Sequence, residues 1–108
     1  MKPNRHDDVK QRVRDENALF GAVISLGSVD ECRNFFRDLC TPAELQALVD
    51  RWHVVELLEQ GLPYRQIHDR TGVSVTTIGR VARFLTDGFG GYQRALERTS
   101  RQAGNPSH

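Results

Sequence analysis

Residues 64–85 read YRQIHDRTGVSVTTIGRVARFL, and this stretch decides how the chain folds. Two short helical patterns are separated only by Thr71-Gly72-Val73, the spacing that a compact helix-turn-helix requires. The glycine suits such a turn because it adopts the left-handed conformation without steric cost. Apolar residues stand where two crossed helices need internal contacts, at Ile67, Val73, Ile78 and Val81. The pattern therefore predicts a helix-turn-helix whose second helix is capped by Ser74.

The second helix of this motif has an open face suited to DNA. If Ile78 and Val81 point inward, the remaining sides of the helix face outward. Side chains near its N-terminus are short enough to enter a major groove, and the hydroxyls of Thr76 and Thr77 can hydrogen-bond to base edges or phosphates. Arg65 in the preceding helix can contact a guanine or a phosphate. The predicted DNA-binding residues are Arg65, Gln66, His68, Val75, Thr76, Thr77, Gly79, Arg80 and Arg83.

Charge along the chain favours this interpretation mildly. Residues 1–61 carry 8 Lys+Arg against 11 Asp+Glu, a net −3, whereas residues 62–108 carry 7 against 3, a net +4. A basic half joined to an acidic half is typical of a polyanion-binding segment attached to an assembly segment, although solvated helix faces give the same contrast. A helical protein-binding adaptor stays open as an alternative. So does a hairpin that binds nothing, because His68 stands where such motifs usually have a small residue.

The rest of the chain is punctuated as helices, without strand-like alternation or repeats, so the predicted fold is all-α with about six helices. The first and last helices are expected at about residues 8–25 and 92–101. Between them, Ser28 with a glutamate three residues on forms a capping box that starts the second helix. Thr41-Pro42-Ala43-Glu44 starts the third, which Gly61 ends. The polar ends, residues 1–7 and 103–108, are predicted to be mobile.

The third helix carries the most regular apolar stripe of the chain. The stripe consists of Leu45, Leu48, Val49, Trp52, Val55 and Leu58. Trp52 is expected to anchor the core, and a place at a subunit interface is the alternative. A helical chain of 108 residues has a shallow core and often depends on a partner subunit, so oligomerisation is expected.

Several classes of protein are disfavoured by the composition. No run approaches the roughly 20 apolar residues that span a bilayer, and the N-terminus lacks a signal-peptide pattern, so a soluble cytoplasmic protein with no membrane partner is expected. The four histidines are scattered, and neither a CxxC spacing nor a nucleophile motif occurs, so neither catalysis nor a metal site is predicted. Cys32 and Cys40 are expected to be reduced thiols.

Five segments between residues 39 and 92 together resemble a known family. They are LCTPAE at 39–44, ALVDRW at 47–52, the tract 61–70, TIGRVARFL at 77–85 and GGY at 90–92. In this order they resemble the Trp repressor superfamily, most closely the Trp-repressor-like proteins of the YerC/YecD type. The resemblance implies a DNA-binding regulator of transcription, a repressor that binds a double-stranded operator.

The resemblance also implies how the chain is organised. It implies a single domain that forms an intertwined all-helical homodimer. Residues 1–61 and 89–102 would form the shared core, residues 62–87 the helix-turn-helix reading head, and residues 103–108 a flexible tail.

The resemblance further implies an amino-acid corepressor between the core and the reading head. Arg51 and Arg80 match two family arginines that would stack on the ligand and pair with its carboxylate. The ligand ammonium would be met by backbone carbonyls at Asp38, Cys40 and Thr41. Two departures, Val81 for glycine and Phe84 for serine, add bulk to this pocket. L-tryptophan or a related aromatic corepressor, another small ligand, and no ligand at all are therefore the alternatives, and no cofactor is obligatory.

Overall fold

A computed structural model describes residues 5–104 of the chain, with the side chains of residues 8–100. This range contains six α-helices and no strand, which confirms the all-α prediction. The helices are α1 (Arg5–Ile24), α2 (Val29–Leu39), α3 (Pro42–Glu59), α4 (Tyr64–Thr71), α5 (Val75–Asp87) and α6 (Gly91–Gly104). The chain divides into two compact units, Met1–Pro42 and Ala43–His108. In the described part, no helix is long and apolar enough to cross a membrane.

The outer helices are longer than their apolar patterns predict. Helix α1 begins at Arg5, three residues early, and α6 continues to Gly104, three residues late. Residues 5–7 and 103–104 are therefore helical, beyond the helix ends that the apolar patterns predict, and the mobility of the two ends stays a prediction. The stretch Arg101-Gln102-Ala103 has good helix propensity, so a helix can continue there without an apolar anchor. The other residues of both predicted ends lie outside the described range.

The first unit contains α1 and α2. Helix α2 begins as predicted after Ser28, whose Oγ accepts a hydrogen bond from the Glu31 N–H at 3.1 Å. The return bond of the capping box differs, because the Glu31 carboxylate accepts from the Gly27 N–H at 2.7 Å instead of from Ser28. None of residues 8–42 is buried. The apolar side chains left exposed here are Val9, Val13, Leu19, Phe20, Ile24, Val29 and Leu39.

The second unit holds the hydrophobic core. Its fully enclosed side chains come from α3, α4 and α5 and are Val54, Val55, Leu57, Ile67, Ile78 and Val81. Trp52 is partly buried against this cluster, as is Tyr92 of α6, and their ring centroids are 6.4 Å apart. Trp52 therefore lies at the edge of the core and not at its centre.

The stripe predicted on α3 is only partly correct. Val54 and Leu57, which the stripe omits, are buried, whereas Leu48 and Val49, which it includes, are exposed. The C-terminal half of α3 contributes to one cluster with side chains of both α4 and α5, so a wider arc of this half is enclosed. The N-terminal half has no comparable cover within the unit.

The link between α3 and α4 turns as predicted. Gly61 has a left-handed backbone with φ of 84°, a conformation that side-chain-bearing residues rarely adopt. Its N–H donates to the Leu58 carbonyl at 2.9 Å, and the Leu62 N–H donates to the Leu57 carbonyl at 3.2 Å. These bonds end α3 and allow Pro63 to lead directly into α4.

Candidate functional site

The turn of the helix-turn-helix is braced by side chains of α4. Gly72 ends α4 in the left-handed conformation, with φ of 76°. Thr71 Oγ1 donates to the Ile67 carbonyl at 2.8 Å and accepts from the Val73 N–H at 3.0 Å. His68 Nδ1, in the tautomer that carries its hydrogen there, donates to the Val73 carbonyl at 2.8 Å. Both backbone polar groups of Val73 are thus satisfied, and His68 has a structural role where a small residue is usual.

Helix α5 is capped as predicted. Ser74 Oγ accepts from the Thr77 N–H at 3.1 Å and donates to Thr77 Oγ1 at 3.0 Å. Thr77 is half-buried, so it is less open than the predicted face requires. Gly79 is half-buried too, because the ring of Tyr64 lies 3.9 Å from the position that a Cβ on Gly79 would occupy. The predicted open face is therefore narrower at these two residues.

The remaining predicted DNA-binding residues lie on the surface of α4 and α5. Ile78 and Val81 are buried as predicted, which turns the opposite side of α5 outward. The exposed members of the predicted set are Arg65, Gln66, His68, Val75, Thr76, Arg80 and Arg83. Among the described side chains, no salt bridge is found to any of these three arginines. Their guanidinium groups can therefore meet an external anion without first breaking an internal pair.

A cleft of about 560 Å³ opens within the second unit. It brings together four of the predicted ligand-binding residues, Arg51, Arg80, Val81 and Phe84. The guanidinium carbon of Arg80 lies 4.9 Å from the centroid of the Phe84 ring, in cation–π geometry. Val81 belongs to the buried core and closes the floor. Two cations and an aromatic ring are thus concentrated around one space.

Three lining residues of this cleft are absent from the sequence prediction, namely Phe89, Gly91 and Tyr92. A signal for them exists in the run Gly88-Phe89-Gly90-Gly91-Tyr92, where two aromatic residues are set among glycines. The predicted ligand residues Asp38, Cys40 and Thr41 belong to the first unit, so their role stays a prediction. Cys32 and Cys40 are both free thiols, and the described residues contain no group of side chains that could hold a metal ion.

The connection from α5 to α6 is fixed at both ends. The Gly88 N–H donates to the Phe84 carbonyl at 3.0 Å, and a Cβ added at Gly88 would collide with that carbonyl. Gly90 has a left-handed backbone with φ of 86°. Gln93 Nε2 donates to the Leu85 carbonyl at 2.9 Å. The connection therefore needs its glycines, and it carries Phe89 at the mouth of the cleft.

Six helices that include a braced helix-turn-helix define a class, the all-helical helix-turn-helix proteins. Within it, residues 15–100 match the Trp repressor protein family. The chain belongs to this family, which has a regulatory DNA-binding fold. The family predicted from the sequence is thereby confirmed.

The relatives of the chain agree with this assignment. It is 42% identical over 89 residues to the uncharacterized protein YerC of Bacillus subtilis (strain 168), covering 82% of this chain and 86% of YerC. A crystal structure of a TrpR like protein from Eubacterium eligens ATCC 27750 is similar with a TM-score of 0.76 and 40% identity, covering 80% of this chain and 89% of that one. A putative Trp repressor from Staphylococcus aureus gives a TM-score of 0.75 and 36% identity, covering 90% and 95%.

Proposed function

We propose that the chain is a sequence-specific regulator of transcription that represses genes by binding an operator in double-stranded DNA. The observation that carries the proposal is the arrangement of α5. Its first turn is capped by Ser74, the turn before it is braced through Val73, and its outer side is free of internal ion pairs. A helix held in this way can enter a major groove without losing order, which lowers the entropic cost of binding.

The exposed side chains of this surface divide into two chemical groups. Val75 and Thr76 are short and lie in the first turn of α5, where a methyl group can meet a thymine and a hydroxyl can meet a base edge. Arg65, Arg80 and Arg83 supply charge for phosphates. The net +4 of residues 62–108 supports binding to a polyanion. The first group would determine sequence preference and the second most of the affinity.

We propose that the protein acts as a homodimer. None of the described residues of the first unit is buried. In the second unit, Leu48 and Val49 of α3 are exposed as well. So much exposed apolar surface needs cover, and a second copy of a small helical chain can supply it. Two reading heads would then meet successive major grooves about 34 Å apart.

The experiment is a binding titration with duplexes selected from a random pool by the purified protein. Fluorescence anisotropy over a series of salt concentrations should give affinities that fall steeply with salt for the selected duplex. Thr76→Ala should reduce the preference for the selected duplex over a scrambled one. Arg65→Ala should weaken binding to both and lower the salt slope by about one per reading head. Equal affinity for all duplexes with a flat salt response would contradict the proposal.

A matched control separates a local contact from a general loss of charge. Arg98→Ala removes the same charge from α6, outside the helix-turn-helix, from a side chain that is also exposed. It should change the affinity for the selected duplex by less than about 2-fold, a small electrostatic effect at moderate salt. If Arg98→Ala and Arg65→Ala lowered the affinity for the selected duplex equally, the proposal that the surface of α4 and α5 binds DNA would be contradicted.

We further propose that the cleft beside Arg51 and Arg80 binds an aromatic amino acid, L-tryptophan or a close relative, as a corepressor. Its volume of about 560 Å³ falls within the range of roughly 300–1,000 Å³ that is usual for small-molecule sites. Guanidinium groups pair with a carboxylate, and aromatic walls accept a ring. A second candidate is a regulator that needs no ligand, because Phe84 fills the site. The contact between the Phe84 ring and Arg80 supports this candidate.

Calorimetry with a panel of amino acids distinguishes the two forms of regulator. Under the corepressor proposal, one panel member should bind and strengthen DNA binding by a factor in the range of roughly 5 to 150. Arg51→Ala should abolish that response, whereas the control Arg33→Ala in α2 should keep it. Unchanged DNA affinity with every amino acid would favour the ligand-independent form.

A further inference from the structure

We propose that Phe89 is a closing wall of the cleft, and that its ring folds onto a flat ligand that carries a carboxylate. The inference rests on the proposed ligand site and adds a residue and a ligand chemistry to it. It starts from an unusual exposure. Phe89 is the most exposed aromatic side chain among residues 8–100, and the solvent reaches its whole surface. Covering a fully exposed aromatic ring with an apolar partner lowers the free energy, because apolar surface is removed from water.

The position of Phe89 limits what can cover it. It lines the cleft together with Phe84 and Tyr92, so an apolar ligand in that space lies within its reach. The connection that carries it is pinned before it by the bond from Gly88 to Phe84 and after it by the bond from Gln93 to Leu85. Phe89 therefore stays at the mouth of the cleft while its side chain changes direction.

The charges of the cleft define the other end of the ligand. Arg51 and Arg80 line it, and none of the described lining residues is acidic. One face of the Arg80 guanidinium is covered by the ring of Phe84, but the N–H groups at its edge stay available to a carboxylate. A ligand held by these groups would be an aromatic carboxylate, with its ring between the floor of the cleft and Phe89. Aromatic amino acids belong to this class, and so do aromatic acids without an amino group.

The first experiment is a calorimetric comparison of wild type, Phe89→Ala and Phe89→Tyr. The probes are L-tryptophan, L-phenylalanine, 3-phenylpropionate and tryptamine, the last of which has no carboxylate. Wild type should bind at least one of the three acids and should bind tryptamine more weakly. Phe89→Ala should weaken the binding of the acid by roughly 3- to 10-fold, the loss expected for one aromatic contact, and Phe89→Tyr should restore it.

A spectroscopic variant tests the movement of the ring itself. Trp52 is the single tryptophan of the chain, so the double variant Trp52→Phe with Phe89→Trp places the only indole at the mouth of the cleft. Its emission should start at the long wavelength of an exposed indole and shift to shorter wavelength when 3-phenylpropionate is added. The matched control adds Arg51→Ala to this double variant, and the shift should then require a much higher probe concentration.

The outcomes separate the two proposals. If no acid binds the wild type, both the proposed ligand site and the proposed role of Phe89 are contradicted. The proposal of DNA binding is tested separately by the duplex titration. If an acid binds wild type and Phe89→Ala equally, the ligand site stands and the inference about Phe89 is overturned. The inference is also overturned if Phe89→Ala dissociates a dimer or lowers ligand-free DNA affinity, because Phe89 would then belong to a subunit or DNA interface.

Discussion

One threonine hydroxyl connects the last turn of α4 to the residue after the turn. Thr71 Oγ1 donates to the Ile67 carbonyl and accepts from the Val73 N–H. It therefore connects α4 to the turn that follows it. Thr71 is partly buried, and water cannot fully replace both bonds when the hydroxyl is removed. This side chain therefore fixes where α5 begins relative to α4.

We predict that Thr71→Val lowers the free energy of unfolding by about 1–2 kcal/mol, because valine keeps the shape and removes both hydrogen bonds. Urea denaturation followed by circular dichroism measures the loss. Thr86→Val is the matched control, since the Thr86 hydroxyl makes one long bond of 3.3 Å to the Ala82 carbonyl at an exposed position. It should cost less than about 0.5 kcal/mol. Equal losses of unfolding free energy in the two variants would show that the hydrogen bonds of Thr71 do not stabilise the turn more than an exposed hydroxyl does.

Gly72 is required for its backbone and not for space. Its φ is 76°, yet nothing lies within 4 Å of the position that a Cβ would take. We predict that Gly72→Ala costs about 1 kcal/mol from the left-handed conformation alone, and that Gly72→Asn costs less because asparagine tolerates this region better. Thermal unfolding of both variants provides the measurement. A larger loss for asparagine than for alanine would point to a steric cause.

The two capped helices, α2 and α5, allow local stability to be separated from binding. Ser28 and Ser74 make the same bond, each accepting from the N–H three residues on at 3.1 Å. We predict that Ser28→Ala and Ser74→Ala each cost about 1 kcal/mol of stability. Only Ser74→Ala should also weaken binding to the selected duplex, because α5 is the helix that we propose enters the groove. Equal DNA affinity of the two variants would mean that the order of the first turn of α5 does not matter for binding.

The starts and ends of the inner helices were predictable because their chemistry is local, whereas the outer ends of α1 and α6 were not. The residues that decide them, such as Ser28, Pro42, Gly61 and Ser74, act on backbone groups within a few positions. The buried arc of α3 was not predictable in the same way. Whether Val54 is enclosed and Val49 is exposed depends on which other helices cover each half of α3, and the spacing of apolar residues along one helix does not contain that information.

Only part of the lining of the cleft was predictable from the sequence. Arg51 and Arg80 match positions that the family resemblance names, and Val81 and Phe84 were found as departures from it. Phe89 and Tyr92 line the same space because the connection between α5 and α6 turns back at Gly88 and Gly90. The glycines predict a turn here, but their pattern does not say which residues the turn brings together, so the sequence did not place these rings beside the arginines.

Across residues 8–100, the exposed apolar side chains predict assembly. Val49 in α3 and Val75 in α5 are equally exposed, at 52% and 53%, yet we assign them to different partners. We predict that Val49→Glu converts the dimer to a monomer, because a buried unpaired carboxylate should raise the dissociation constant by roughly 100-fold or more. Val75→Glu should leave the dimer intact. Sedimentation velocity measures both, and a monomeric wild type would contradict the proposed homodimer.

The placement of Arg80 has a consequence for how relatives of this protein diverge. The same side chain is exposed on α5 and lines the cleft. If both proposals hold, a substitution there would change the affinity for the operator and the affinity for the effector together. Selection on either property therefore constrains the other at this position. Val75 and Thr76 touch no part of the cleft, so we expect new operator preferences to evolve through those two sites. New effector preferences should evolve through Phe84 and Phe89, while the arginine between the two functions changes last.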